Sequence, residues 1–322
     1  MHRSGQDWLS TFWFAALTTV VTGCGGGGGP VSSLMGTNNN APTLPATSAP
    51  ESLPASNPLS APSSSFGAQG LTLVWSDEFE VAGLPDGSKW NYDTERNKLG
   101  WYNNEKQYYA SARLQNSDVT NGVLSINAIR ESLTSATDFG GQAFTSARLI
   151  TRGNFSFTYG FVEVRAKMPC ALGTWPAIWM LGTGGKWPED GEIDLLEQRG
   201  TRTLDKAEVL GTVHSRAYNW SNGTLGVAKG ATQSLPTACT EFHNYQLNWT
   251  PDILEIGVDG VVYNTVTNPK LSDESQNYLQ WPFNKPQYLI LNVAMGGDLG
   301  GTVPSSFSRD AMQVEYVRVY KN

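Results

Sequence analysis

Apolar and polar side chains alternate along Phe155-Ser156-Phe157-Thr158-Tyr159-Gly160-Phe161-Val162-Glu163-Val164-Arg165-Ala166, a period that suits a pair of β-strands. Val123–Ala128 alternates in the same way. Leu254–Tyr263 is centred on Asp259-Gly260, a dipeptide that favours the tight turn of a β-hairpin. From Leu71 onward, short runs of this kind are separated by turn signals, and helical periodicity is scarce. Many antiparallel strands predict an all-β protein built as a sandwich of two packed sheets.

A further strand-like run carries three carboxylates, in Gly191-Glu192-Ile193-Asp194-Leu195-Leu196-Glu197. Glu192 and Asp194 share one face of a strand, but Glu197 should point to the other face. A β-bulge, one extra residue at Leu195-Leu196, would return Glu197 to the first face. The outer Cα atoms would then stand about 13 Å apart, and two inward-leaning Glu side chains could approach the roughly 5–5.5 Å of a retaining glycosidase pair. The alternative is a surface strand with solvated acids.

Three tryptophans precede these acids, namely Trp175, Trp179 and Trp187. Indole rings are large, flat and amphipathic, so they stack well on the C–H faces of sugar rings. The alternative is that they belong to the core, and Trp179, in an apolar run, is the first candidate for that role. The cluster favours a sugar-binding cleft beside the acids.

The chain resembles glycoside hydrolase family sixteen, in its bulged, laminarinase-like branch. The matching segments are Leu73–Phe79, Gly100–Tyr109, Gly173–Leu181, Trp187–Glu197, Phe242–Tyr245, Trp249–Asp252, Val258–Gly260, Trp281–Phe283, Leu289–Gly297 and Val314–Tyr320. The resemblance implies a catalytic domain over residues 71–322, folded as a jelly roll whose concave sheet forms an open substrate groove. An open groove implies cleavage inside a polymer rather than at its ends.

The resemblance also implies roles for the three acids. Glu192 would be the nucleophile, and Glu197 the acid that protonates the leaving oxygen and then the base that activates water. Asp194 would hydrogen-bond to Glu192 and help to hold the other two in different protonation states. Acids this close cannot all ionise cheaply, so one pKa should rise. The expected outcome is hydrolysis with retained configuration and with no catalytic cofactor.

Substrate-binding positions follow from the same resemblance. The three tryptophans would line the subsites beside the scissile bond. Further polar or cleft-facing candidates are Asn104, Glu105 and Arg148 on the non-reducing side, and Asn292 and Met295 on a neighbouring strand. Arg148 could equally form a structural ion pair. His214 and His243 lie in strand-like runs, and a structural role is expected for His243.

Many relatives bind a structural calcium ion, and the matching positions here are Glu78, the carbonyl group of Gly122, and Glu315. Relatives usually carry Asp where this chain has Glu315. A structural calcium ion is therefore an expectation that the longer side chain weakens.

Composition narrows the class of partner. The chain has 322 residues, 39% hydrophobic residues and a formal net charge of −7. An acidic chain without basic runs or zinc-spaced Cys/His clusters argues against nucleic acid and suits a neutral polysaccharide. We expect a monomer.

The first residues indicate export. Residues 1–23 combine Arg3 with the apolar run Phe12–Val21, which is too short for a membrane span but suits a signal peptide. Val21-Thr22-Gly23-Cys24 resembles a bacterial lipobox, so Cys24 is expected to carry lipid, and the glycine after it favours the outer membrane. Ordinary secretion to the outside is the alternative. Residues 24–70, rich in Gly, Ser, Thr and Pro, predict a flexible linker.

The remaining cysteines, Cys170 and Cys239, can pair in an exported protein, with two buried thiols as the alternative. The sequence is compatible with three functions. The first is endo-hydrolysis of β-1,3 bonds in a laminarin-like glucan, with mixed β-1,3/1,4-glucan as a further substrate. The second is a non-catalytic glucan-binding protein, which the three intact acids disfavour. The third is cleavage of galactan-type algal polymers, which usually needs more basic residues near the motif than Lys186 and Arg199.

Overall fold

Two β-sheets make up nearly all of the described structure, as the sequence predicts. A computed structural model describes residues 66–200, 207–219 and 228–322. The strands within these ranges are β1 (Thr72–Asp77), β2 (Asn91–Tyr92), β3 (Gln107–Tyr109), β4 (Ser117–Thr120), β5 (Val123–Ile129), β6 (Phe144–Ser146), β7 (Arg148–Ile150), β8 (Gly160–Lys167), β9 (Thr174–Gly182), β10 (Glu192–Gln198), β11 (Glu208–His214), β12 (Lys229–Ser234), β13 (His243–Trp249), β14 (Ile253–Val258), β15 (Val261–Thr267), β16 (Gln287–Met295) and β17 (Arg309–Lys321). The helices are α1 (Glu274–Gln280) and α2 (Gly297–Gly300).

The strands divide into a ten-stranded and a seven-stranded sheet. The first has the order β15-β14-β13-β8-β17-β5-β6-β3, with β1 paired to β17 and β4 paired to β5. The second has the order β12-β11-β10-β9-β16-β7-β2. Neighbouring strands are antiparallel except for the parallel pair β3 and β6. Several strands that pair in the sheets are far apart in the chain, such as β1 with β17 and β9 with β16, as expected for a jelly-roll sandwich.

The local strand predictions hold in part. The Asp259-Gly260 turn joins β14 to β15, and both of its residues have positive φ, 49° and 79°. Residues 155–166 differ from the prediction, because only the part from Gly160 onward forms a strand. Phe155 stacks on Trp75 with ring centroids 4.9 Å apart, so the aromatic residues ahead of β8 fill the core instead of extending the ladder.

The hydrophobic core lies between the two sheets. β10 contributes Ile193, Leu195 and Leu196, all fully buried, and β13 contributes Tyr245 and Leu247 from the opposite sheet. Burying a leucine side chain contributes on the order of 2 kcal/mol. The strand that carries the three acids is therefore anchored on its inner side, which leaves its outer face for chemistry.

Packing begins ahead of residue 71. Phe66 is buried and its ring lies edge-on to Phe161, with centroids 5.4 Å apart. Gly257 makes room for it, since an added Cβ there would lie 2.5 Å from the Phe66 ring. The expected signal peptide, Cys24 and nearly all of the expected linker lie outside the described residues. Neither helix of the described part is long and apolar enough to cross a membrane.

Helix α1 begins after Asp273, whose side chain accepts hydrogen bonds from the backbone N–H groups of Ser275 and Gln276. Its last turn contacts two loops beside the acids. The Tyr278 hydroxyl donates to Asp190 at 3.3 Å, and the Tyr218 hydroxyl donates to Gln280 at 2.7 Å. The helix thus connects the segments that precede β10 and follow β11.

Candidate active site

The bulge predicted in β10 is present. Between Asp194 and Glu197 this strand advances three residues, while its partner β11 advances two, from Thr212 to Leu210. The extra residue falls at Leu195-Leu196, and both leucines are fully buried. After a bulge, every following side chain points to the face opposite the one that it would have had in a regular strand. Glu192, Asp194 and Glu197 are therefore brought to one face, the outer face of the seven-stranded sheet.

Glu197 lies where its carboxyl group is held partly protonated. Burial raises its pKa to about 7, and the negative charge of Glu192 adds to the effect. The Trp175 indole Nε1–H donates to Glu197 Oε1 at 3.0 Å. Trp175 itself is only 7% exposed, so its main contact at the site is this hydrogen bond rather than a broad stacking surface. A carboxyl group with this pKa can give and take a proton near neutral pH.

Asp194 is buried between the other two acids and faces a histidine. Its Oδ2 lies 3.1 Å from Nε2 of His214, which stands opposite Glu192 on β11. Burial raises the pKa of Asp194 well above its usual range, and the charge of Glu192 raises it further. Burial alone would lower the pKa of His214, but the charges of Glu192 and Asp194 outweigh it and raise this pKa to about 9. His214 therefore places a positive charge beside the acids at neutral pH.

Glu192 is half-buried and accepts a hydrogen bond from the Trp187 indole Nε1–H. Trp187 is 41% exposed and lies on the loop between β9 and β10. Asp190 holds this loop, because its carboxylate accepts from the Lys186 backbone N–H at 2.9 Å and lies 3.4 Å from Lys285 Nζ. The indole hydrogen bond fixes the position of the Glu192 carboxylate on the outer face.

Arg148 lies on the same outer face, with aromatic rings on both sides. Its guanidinium carbon lies 5.1 Å from the ring centre of Trp101 and 4.6 Å from that of Trp179. Its Nε lies 3.0 Å from the Asp93 carboxylate. The Trp179 indole donates to Asn292 Oδ1 at 2.7 Å. Arg148 has the ion pair considered as its alternative role, and it also packs beside the acid-bearing strands.

Asn104 and Glu105 lie beside this region, on the loop before β3. The Asn104 amide donates to Asp298 at 2.8 Å, and Gln107 donates to the Glu105 carboxylate at 2.8 Å. Burial raises the pKa of Glu105, although the nearby charge of Arg148 lowers it. Asn104 is exposed and Glu105 is half-buried, so both are accessible from the outer face.

Met295 does not belong to the site. It is fully buried in the core cluster, whereas Asn292 hydrogen-bonds on the outer face. Side chains alternate along β16, so a residue three positions after Asn292 points to the inner face. The expectation of a cleft-facing Met295 is therefore wrong.

The residues expected to bind calcium do not fit a cation in this arrangement. Both Glu78 oxygens accept from Arg318, at 2.9 and 2.8 Å, and Glu315 accepts from Arg165 at 2.6 Å. Each carboxylate is thereby neutralised by a guanidinium group. Gly122 lies in the β4–β5 turn with φ of 76°, but its carbonyl group alone cannot make a calcium site.

Cys170 and Cys239 are joined by a disulfide bond, with Cα atoms 5.6 Å apart. The bond connects the segment before β9 to the segment before β13. His243, the other strand histidine, contacts Asp259 at 2.6 Å and Thr237 at 3.0 Å, away from the acids. Its contacts are structural.

Within the described ranges, Glu192, Asp194 and His214 are also the one set of three His, Cys, Asp or Glu residues whose ligand atoms lie within 4.8 Å of one another. Acid–base chemistry by the carboxyl groups explains the same cluster without an ion.

Comparison with known proteins agrees with this geometry. Residues 104–318 match the sequence pattern of the family described as "Glycosyl hydrolases family 16". A beta-glucanase of Rhodothermus marinus is 45% identical over 257 residues, which cover 77% of this chain and 85% of that protein. The crystal structure of SCLam, a non-specific endo-β-1,3(4)-glucanase, is 45% identical with a TM-score of 0.73, over 82% of this chain and 94% of that one. The laminarinase structure from Rhodothermus marinus is 44% identical with a TM-score of 0.70, over 78% of this chain and 97% of that one. The chain therefore belongs to glycosyl hydrolase family 16, among its laminarinase-like members.

Proposed function

We propose that this enzyme hydrolyses internal β-1,3-glucosidic bonds of laminarin-like glucans by double displacement, with Glu192 and Glu197 as its catalytic pair. The observation that carries the proposal is the bulge in β10, which brings both glutamates to the outer face. Their environments differ, because an indole N–H donates to Glu192 whereas burial raises the pKa of Glu197 to about 7. A retaining glycosidase requires a carboxylate that attacks, beside a carboxyl group that can give and take a proton near neutral pH.

In the first displacement, an oxygen of Glu192 attacks the anomeric carbon and forms a glycosyl ester. The bond from that carbon to the leaving oxygen breaks, and Glu197 gives its proton to this oxygen. In the second displacement, ionised Glu197 takes a proton from water, the water oxygen attacks the anomeric carbon, and the bond to Glu192 breaks. Glu197 ends protonated and Glu192 ends charged, so both return to their starting states. Glycosyl hydrolases of this family need no catalytic cofactor.

Asp194 and His214 complete the proposed machinery without touching the leaving group. Asp194 lies between the two glutamates on the strand, and His214 lies 3.1 Å from it. The positive charge of His214 offsets part of the repulsion among three acids, and it lowers the pKa of Glu197 from the value that burial alone would give. We therefore assign Asp194 and His214 the role of balancing the charges of Glu192 and Glu197.

The proposed substrate contacts use the outer face beside the pair. Trp187 and Trp179 keep exposed or half-buried rings there, while Asn104, Glu105 and Arg148 supply polar groups. A curved β-1,3 chain can follow rings set at different angles, whereas a straight β-1,4 chain cannot. We therefore expect laminarin to be cut internally, mixed β-1,3/1,4-glucan more slowly, and cellulose not at all.

The test incubates the full chain with laminarin, mixed-linkage glucan, cellulose, agarose and carrageenan, and sizes the products. Laminarin should fall rapidly to a spread of oligosaccharides, and the first product should retain its anomeric configuration by NMR. Release of glucose alone would refute internal cleavage, and faster cleavage of agarose or carrageenan would refute the substrate assignment.

The Glu192→Gln variant tests the nucleophile. It should still bind laminarin by calorimetry while turnover is abolished, because the amide cannot form the ester. Glu80→Gln removes an exposed acid outside the site and is the matched control, which should remain active. Substantial hydrolysis by Glu192→Gln would sink the assignment.

We also propose that the enzyme is exported and anchored to the outer membrane by lipid on Cys24, with residues 24–70 as the tether, and that it acts as a monomer. The support for export and the lipid anchor is the sequence of residues 1–70 alone. Metabolic labelling with a fatty acid, compared between the natural chain and Cys24→Ala, tests the anchor. Equal labelling of both would refute it.

A further inference from the structure

Rows of facing residues cross the seven-stranded sheet from the acids to the far edge at β2. Directly opposed residues in an antiparallel pair share one face. The row that starts at Asp194 runs through Trp179, Ile290 and Ile150 to Asn91. It makes four steps between strands, and at about 4.8 Å per step it spans about 19 Å. A glucan lying along this row from the acids to the edge must be several sugar units long.

A cleft of about 510 Å³ opens at the end of this row. Asn91 of β2, Ile150 of β7 and the following Arg152 form its wall on the sheet, and Gly87 and Ser111 border it from neighbouring loops. This volume falls within the roughly 300–1,000 Å³ of small-molecule sites. The acids and the cleft therefore lie on one line across the sheet.

The lining of the cleft suits a neutral, hydroxyl-rich ligand. Arg152 forms an ion pair with Glu95, and their side chains are 44% and 67% exposed, so both can still reach a ligand. Because Glu95 neutralises the guanidinium group, an anionic ligand gains little here. The Asn91 amide nitrogen donates to the Arg152 carbonyl group at 2.8 Å, which fixes the side chain. Paired charges and an amide group offer both donors and acceptors to sugar hydroxyl groups.

Buried apolar side chains lie beneath the outer face between the cleft and the acids. Ile150, Tyr288 and Ile290 pack together on the outer face, with Trp179 and Leu181 against them. The Arg152 guanidinium carbon lies 5.8 Å from the ring centre of Tyr288. Because Ile150, Tyr288 and Ile290 are buried, the groups that a sugar chain could contact here are the half-buried Trp179 ring and the exposed end of Arg152.

We propose that the cleft at Asn91, Ile150 and Arg152 is a distal subsite, which binds a glucosyl unit of the same glucan chain several units away from the scissile bond. This inference rests on the proposed function. Its consequence is a preference for long chains, because a short oligosaccharide over the acids cannot reach the β2 edge.

The test compares kcat/KM on a long β-1,3-glucooligosaccharide with kcat/KM on the trisaccharide, for the natural chain and two variants. Arg152→Ala removes the charged hydrogen-bonding group. Gly87→Phe fills the cleft, since an added Cβ at Gly87 meets no atom within 4 Å and its φ is not left-handed. The long-to-short ratio should fall in both variants, and in Arg152→Ala on the order of tenfold, the effect of one lost hydrogen bond to a charged group.

Lys270→Ala is the matched control. Lys270 pairs with Asp252 at 2.8 Å, with both side chains about as exposed as those of the cleft pair, at 61% and 60%, and it lies beyond the end of β15. Its ratio should equal that of the natural chain. An unchanged ratio in Arg152→Ala, or an equal loss on long and short substrates, would overturn the subsite, and this variant decides the question should Gly87→Phe not fold.

A binding measurement separates this inference from the proposed function. In a Glu192→Gln background, calorimetry should show tighter binding of the long oligosaccharide than of the trisaccharide, and Arg152→Ala should remove most of that difference. A natural chain without activity on any β-1,3-glucan would refute the proposed function, while the length dependence of binding would still decide the subsite.

Discussion

Replacing Glu197 with glutamine removes a carboxyl group whose pKa the surroundings raise from 4.5 to about 7. Glutamine keeps the shape, and its amide oxygen can still accept the hydrogen bond from Trp175. The variant therefore changes the charge at this position and little else. Its effect should appear in the pH dependence of stability as well as in catalysis.

The sign follows from proton binding. In the unfolded chain this carboxyl group ionises near pH 4.5, whereas in the folded protein it ionises near pH 7. Between these values the unfolded state releases the proton first, so the free energy of unfolding of the natural protein falls as pH rises, and the whole penalty is present above about pH 7. At about 1.36 kcal/mol per pKa unit, this penalty amounts to at most about 3 kcal/mol.

Urea unfolding, followed by tryptophan fluorescence, measures the effect at about pH 4 and about pH 8.5. Relative to the natural protein, Glu197→Gln should gain up to about 3 kcal/mol between the lower and the higher pH. Activity should fall by about 10²–10⁴-fold, the usual contribution of a general acid. Glu80→Gln, at an exposed site, should show no such gain. A stability difference between the variant and the natural protein that does not change with pH would refute the raised pKa of Glu197.

Three further predictions follow from other contacts. His214→Asn should lower kcat and move the basic limb of the pH profile of kcat/KM to higher pH, because the charge of His214 lowers the pKa of Glu197; an unmoved limb would leave His214 a packing role only. Joint replacement of Cys170 and Cys239 by alanine should lower the free energy of unfolding by roughly 2–4 kcal/mol in denaturant titrations, because the bond closes a long loop; equal stability would contradict this. A chelator should leave the melting temperature unchanged, since arginines pair with Glu78 and Glu315, and a clear decrease would restore the calcium site.

Local signals predicted the features that depend on neighbouring residues. The Asp259-Gly260 turn fixes its hairpin because those two residues accept positive φ. The spacing of Glu192, Asp194 and Glu197 required a bulge if the three were to share a face, and the strand contains it. In both cases the cause lies within a few residues of its effect.

Contacts between distant strands could not be read in this way. His214 reaches Asp194 through the register of β10 with β11, and Arg148 lies between Trp101 and Trp179 because β7, β16 and β9 lie side by side. Met295 was misplaced because every residue of β16 is buried, so a hydrophobic pattern does not tell the outer face from the inner one. Sheet register, rather than composition, decides these positions.

The bulge in β10 also ties the two sheets together. The Tyr263 hydroxyl of β15 donates to the Leu195 carbonyl group at 3.3 Å, so a residue of the opposite sheet supports the bulged segment through the core. Gly211 on β11 leaves space for this contact, since an added Cβ there would lie 2.7 Å from the Tyr263 hydroxyl. Deleting one leucine would leave that hydroxyl buried without its acceptor, which costs about 1–3 kcal/mol. We therefore expect the length of β10 and the residues at 211 and 263 to change together during divergence, so that a shortened strand becomes viable only after its support in the opposite sheet has been lost.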